Sequence, residues 1–322
     1  MRRWLVFTVG ALLGACGAAV PATAQQVLPR RVIAPADVPK AGSRSDRSAP
    51  ERTILFVGNS FTQGAHSAVQ RYRADSVTDL NGDGYGGVPA LFKTFTEQAR
   101  LNWRVALETQ GGTSLAYHWQ ERRARLKGRY DVVVLQEYST LDRERPGDAT
   151  SYLRHAPLLA AMARAADPRV TVLLMATWSR ADLVWQPGSP WSGRPIGAMA
   201  IDLRAAADRV QRASRDINGV IPVGEAWNRA FAARVADPNP YDGVAFGELN
   251  LWAYDHYHAS AAGSYLEALV VFGKVTGIDP RTLGAGERAA DDLGLSREQA
   301  TRLQAIAAEE LSATRPYAGR RE

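Results

Sequence analysis

Five short apolar runs, rich in β-branched residues, recur along the chain with longer amphipathic stretches between them. They occupy 53–57, 103–108, 130–135, 170–175 and 219–223. Runs of this length and composition read as strands, and their near-continuous apolarity means that both faces of the sheet are covered. The intervening stretches at 89–100, 114–127, 151–166 and 198–216 carry helical periodicity. Strand–helix alternation of this kind predicts an α/β fold on a parallel sheet, with function gathered at the carboxyl ends of the strands.

The 322 residues are 46% hydrophobic and 22% charged, as in an ordinary globular protein. The formal charge of +6 is concentrated at the start. Residues 1–52 hold eight Lys/Arg against three Asp/Glu, leaving 31 against 30 in the rest. A near-neutral body gives no basic face for nucleic acid. Cys16 is the only cysteine, which excludes an intrachain disulfide and a thiol catalyst in the body.

The N-terminus has the pattern of an export signal. Arg2 and Arg3 precede an apolar stretch too short to span a bilayer comfortably, and Ala22-Thr23-Ala24 is a small-x-small cleavage site. A competing reading takes Leu13-Gly14-Ala15-Cys16 as a lipobox, with Cys16 lipidated. The first gives a periplasmic or secreted protein with a 1–24 signal peptide. The second gives a lipoprotein with a 1–15 signal, and membrane attachment only through Cys16. Residues 25–52, rich in Pro, Ala, Ser and Arg, read as a disordered linker, and 53–322 as one domain that includes C-terminal helices.

The first apolar run ends in Gly58-Asn59-Ser60, which delivers a serine hydroxyl to the loop after a buried strand. Gln110-Gly111-Gly112-Thr113 and Gln136-Glu137-Tyr138 follow the second and third runs. Residues 178–197 form a long loop carrying Trp178, Trp185 and Trp191. Loops of this length are often binding loops. Its tryptophans either bind substrate, since aromatic faces suit sugars and acyl groups, or pack the loop down. Asp79 to Gly84 matches the first half of a calcium loop, but Ala90 stands where the last acid is needed, which leaves an Asn/Asp/Gly turn.

Further on, Asp255-His256-Tyr257-His258 precedes a helical stretch at 261–274. At three residues' spacing a carboxylate can accept from an imidazole Nδ1–H, leaving Nε2 as a base. The same residues also suit a helix cap. His256 and His258 alternate as metal ligands can, yet His66, His118 and His155 show no supporting spacing, so no metal site is expected.

Together these blocks resemble the SGNH (GDSL-type) hydrolase superfamily, especially a bacterial branch with Gly-Asn-Ser in place of Gly-Asp-Ser. The resemblance runs from about residue 53 to 277. It implies a three-layer α/β/α sandwich with a five-stranded parallel sheet, of flavodoxin-like type. It implies Ser60 as nucleophile, His258 as base and Asp255 as its orienting acid. Gly111, or failing it Gly112, would be an oxyanion donor. One block departs: the family's Gly-x-Asn after the third strand is absent, and Gln136 is the natural substitute donor. The activity implied is ester hydrolysis through an acyl-enzyme, without cofactor or metal, on a small-molecule or glycan ester such as an O-acetylated carbohydrate. The altered block also admits an envelope carbohydrate-binding protein of the same fold with little or no catalysis.

Overall fold

A computed structural model describes residues 50–313. The signal segment, Cys16 and the linker up to residue 49 lie outside the described residues. Six parallel strands form one sheet: β1 (Arg52–Gly58), β2 (Thr78–Asp79), β3 (Trp103–Thr109), β4 (Val132–Gln136), β5 (Thr171–Ala176) and β6 (Gly219–Pro222), in the order β2-β3-β1-β4-β5-β6. Five are the apolar runs read from the sequence. The sixth, β2, is a two-residue edge strand that pairs Thr78 with Ala106 and Asp79 with Leu107. It is too short and polar to show a strand period. The turn after it is tied by Asp79, whose carboxylate accepts from the backbone of Asn81 (2.9 Å) and Tyr85 (3.1 Å).

Strand side chains alternate between two cores. Ile54, Phe56, Val105, Leu107, Val132 and Val134 face one side, with α1 (Gly87–Gln98), α6 (Val223–Ala232), α7 (Ala261–Thr276) and α9 (Arg297–Ala313) contributing to that core. Leu55, Val57, Val133, Leu135, Val172 and Leu174 face the other, with α3 (Thr150–Ala166) and α5 (Ala198–Ala213). The result is a three-layer α/β/α sandwich. Short helices α2 (Leu115–Tyr117), α4 (Ala181–Trp185) and α8 (Arg288–Asp292) complete it. At the start of α9, Ser296 and Gln299 satisfy each other's backbone N–H reciprocally, as the capping-box sequence requires. Among the described residues no helix is long and apolar enough to cross a membrane.

The topology decides where chemistry can sit. The chain leaves β1 toward β3 on one side and later returns to β4 on the other, so the loops after β1, β3 and β4 converge. Registers of Gly58 with Thr109 and Val57 with Leu135 bring those three strand ends level.

One buried group shapes stability. Glu267 of α7 is fully buried, and neither carboxyl oxygen has a hydrogen-bond partner among the described residues. Burial pushes its pKa well above the usual carboxylate range. In the unfolded chain it ionises near pH ~4.3, so its contribution is complete below that pH and is lost as pH rises. Glu267→Gln removes this dependence. Urea midpoints of variant and wild type should lie close at about pH 4 and separate toward about pH 9, with the variant the more stable. Parallel profiles would contradict the assignment.

Candidate active site

Ser60 follows β1 on a tight loop, closed by Gln63 N–H donating to Asn59 O (3.0 Å) and Ala65 N–H to Ser60 O (3.0 Å). Asn59 ties this loop to its neighbours. Its Oδ1 accepts from Phe61 N–H (3.1 Å), and its Nδ2 donates to Thr113 O (2.9 Å) and Glu137 O (3.4 Å). The loops after β1, β3 and β4 are thus held by one side chain. The Glu137 carboxyl adds a second tie, accepting from Leu115 N–H (3.1 Å) and Tyr138 N–H (2.6 Å), while burial pushes its pKa up to about 7.

His258 arrives from a hairpin-like loop. An antiparallel bridge between Trp252 and Ala259, with Ala253 N–H donating to His258 O (2.7 Å), closes that loop just before α7. Ser260 caps the helix by accepting from Gly263 N–H (3.2 Å). Asp255 Oδ1 accepts the backbone N–H of Tyr257 (3.1 Å) and His258 (3.0 Å), which leaves Oδ2 for the imidazole. The cap reading and the catalytic reading of this block are therefore divided between Ser260 and Asp255.

The three residues form one chain of hydrogen bonds. His258 Nδ1 lies 2.6 Å from Asp255 Oδ2, and His258 Nε2 lies 2.9 Å from Ser60 Oγ. Ser60 is 9% exposed, so its hydroxyl sits at a partly covered surface. Burial lowers the His258 pKa below the ordinary histidine value and outweighs the opposing pull of Asp255. The ring is therefore a neutral acceptor near neutral pH. Asp255 is also partly buried, but hydrogen bonds from the His258 side chain and from two backbone N–H groups outweigh that and hold its carboxyl below its usual value.

No acceptor among the described residues takes the backbone N–H of Ser60, Gly111 or Gly112, so free donors exist on the loops after β1 and β3. Gln136 has a structural duty at this site. Its Oε1 accepts from Asn59 N–H (3.0 Å) and Thr62 Oγ1 (3.0 Å), and its Nε2 donates to the Glu137 carbonyl. Oε1 and one Nε2–H thus hold the nucleophile loop, and the second Nε2–H is all of the amide that is left for an oxyanion.

Two of the three tryptophans are corrected. Trp178 is fully buried, stacked between Phe61 (4.1 Å) and Trp227 (4.6 Å), and its Nε1 donates to Tyr257 O (3.2 Å). It braces the residue after Ser60 and the residue before His258 at once. Trp191 is buried with its Nε1 on Asp202 (2.9 Å). Only Trp185, in α4, keeps an open face at 43% exposure. Its Nε1 donates to the Pro238 carbonyl (3.3 Å), and the exposed Tyr241, three residues on from Pro238, packs on His256.

Two histidines without sequence support have roles in the geometry. The ring of His66 lies 4.4 Å from that of His258. His118 is fully buried beside Glu108 and donates from Nε2 to the Gly58 carbonyl (2.9 Å). Their partners lie far off in sequence or inside a helical stretch, so spacing alone could not reveal them.

No family model matches the chain, and no curated protein does. Solved structures do. A DUF4886 family protein from Bacteroides uniformis superposes with a TM-score of 0.57 at 18% identity, over 82% of this chain and 95% of its own. This chain shares its α/β fold. TesA gives 0.46 at 14% identity over 70% of this chain and 99% of its own. A two-domain esterase active on acetylated mannans gives 0.45 at 14% identity, over 71% of this chain and 50% of its own. Likeness at such identity speaks to architecture alone.

Proposed function

We propose that the chain is an exported serine esterase that hydrolyses carboxylic esters through an acyl-enzyme. The continuous hydrogen-bonded line Ser60–His258–Asp255 carries this reading. His258 Nε2 takes the Ser60 proton as Oγ attacks the ester carbonyl. Asp255 fixes the Nδ1–H tautomer and stabilises the imidazolium. Backbone N–H groups of Ser60 and Gly111 receive the oxyanion. The imidazolium returns its proton to the leaving alcohol, and water then releases the acid by the same route. Export rests on the N-terminal pattern of Arg2, Arg3 and Ala22 to Ala24. For the ester substrate we favour O-acetylated carbohydrate, since exposed Trp185, Tyr241 and Tyr254 offer aromatic faces on loops that meet around His256.

A fluorophosphonate probe should label the full chain at Ser60 alone, and p-nitrophenyl acetate turnover should disappear in step with labelling. The missing Gly-x-Asn block, with Gln136 engaged in holding the nucleophile loop, favours a second reading, a glycan-binding protein without catalysis. Glycan binding by a chain whose Ser60 never labels would establish that reading and overturn the first.

A further inference from the structure

We propose that His66, Asp255 and His258 form a binding site for a borderline divalent transition-metal cation of the Zn2+ class, and that its occupancy silences Ser60. One ligand atom from each of the three residues lies within 4.8 Å of the others. Two imidazoles and one carboxylate suit Zn2+ and its transition-metal neighbours. A single carboxylate oxygen is too poor an oxygen set for Mg2+ or Ca2+. Three protein ligands leave a fourth tetrahedral position for water.

His66 is built for the task in two further ways. Its backbone stands at φ 65°, a left-handed conformation that costs a non-glycine residue energy, and it is held there by the loop that also carries Ser60. Its Nδ1 is bonded to the Tyr254 hydroxyl at 2.6 Å, which orients the ring and leaves Nε2 as the ligand atom. Outer partners of this kind commonly fix ligating histidines. Tyr254 and Asp255 are adjacent, so one short loop supplies both the orienting hydroxyl and the carboxylate.

The consequence for Ser60 follows from the bonds already present. His258 uses Nδ1 toward Asp255 and Nε2 toward Ser60. Ligation through Nδ1 releases to solvent the proton that Asp255 holds in place. Ligation through Nε2 removes the lone pair that must accept the serine proton. Either way, metal binding and base catalysis exclude each other. The silencing half of this inference rests on the esterase reading, and the binding half does not.

The test uses the full chain purified without a histidine tag and freed of metal by a chelator. Calorimetric titration with Zn2+ should reveal one site, and Co2+ should give a visible absorption band, while Mg2+ and Ca2+ give neither signal. His66→Ala and His66→Asn should each weaken Zn2+ binding more than about ten-fold, and Tyr254→Phe by about ten-fold. Asn tolerates left-handed backbone, so His66→Asn guards against misfolding. Ser60→Ala should bind as wild type does. In wild type, p-nitrophenyl acetate turnover should fall in proportion to occupancy and return on chelation. Zn2+ affinity unchanged in both His66 variants would overturn the site. Binding that depends on His66 but leaves turnover untouched would overturn the silencing. Binding that depends on His66 in a chain that never turns over ester would support the metal site and count against the esterase reading alone.

Discussion

Ser60→Ala and His258→Ala should each lower kcat on p-nitrophenyl acetate by roughly 10^6-fold, and the double variant should lose no more than either alone. The reason is that nucleophile and base act as one unit. Without His258, the Ser60 hydroxyl has no acceptor at 2.9 Å for its proton, and without Ser60 the base has nothing to activate. Asp255→Asn should cost about 10^4-fold, because an amide at Oδ2 presents a donor to Nδ1 and forces the wrong tautomer. Asp255 also accepts two backbone N–H groups through Oδ1, and asparagine keeps that acceptor. Its thermal midpoint should therefore stay near wild type while turnover collapses. Single losses that multiply in the double variant would show that the two residues do not work together. An Asp255→Asn variant that melts early would place its effect in the loop instead of the tautomer.

The strands were legible because burial on both faces writes a nearly unbroken apolar run, and the helices between them because one face is apolar. Ser60 and the Asp255–His258 pair were legible because each sits in a short local pattern at a strand end or helix start. The directions of side chains were not. Residues 178–197 are long enough for a binding loop, but the ring of Trp178 turns inward to stack on Phe61 and Trp227, contacts made by elements remote in sequence. Gln136 carries the right amide at the right strand end. Its use is decided by Asn59 and Thr62, which arrive from β1 and capture Oε1. Helix α6 went unread because it starts directly at the end of β6. Gly224 there packs so close to Thr177 O that a Cβ would stand 2.3 Å from it.

His118→Ala should destabilise the chain by about 1–3 kcal/mol, the usual cost of leaving a buried hydrogen-bonding group without its partner. Glu108 and His118 are both fully buried, with the carboxylate bonded to Nδ1. Arg122 Nε approaches Glu108 Oε1 only to 3.8 Å, and neither atom has a hydrogen-bond partner among the described residues. Alanine would thus leave the buried Glu108 side chain without its Nδ1 partner. The Glu108→Leu/His118→Phe double variant fills similar volume without buried polar atoms and should recover most of the lost stability, read as the urea midpoint. It should not recover turnover. His118 Nε2 donates to the Gly58 carbonyl at 2.9 Å, which also receives Gln110 N–H at 3.1 Å. That carbonyl stands between β1 and Asn59-Ser60, so His118 fixes the nucleophile loop and the Gly111 loop to one oxygen. Phenylalanine offers no donor there, and a shift of about 1 Å in a nucleophile can cost about 100-fold in rate. Stability restored with kcat still depressed assigns His118 a positioning role beyond packing. Recovery of both would make the Glu108–His118 pair purely structural.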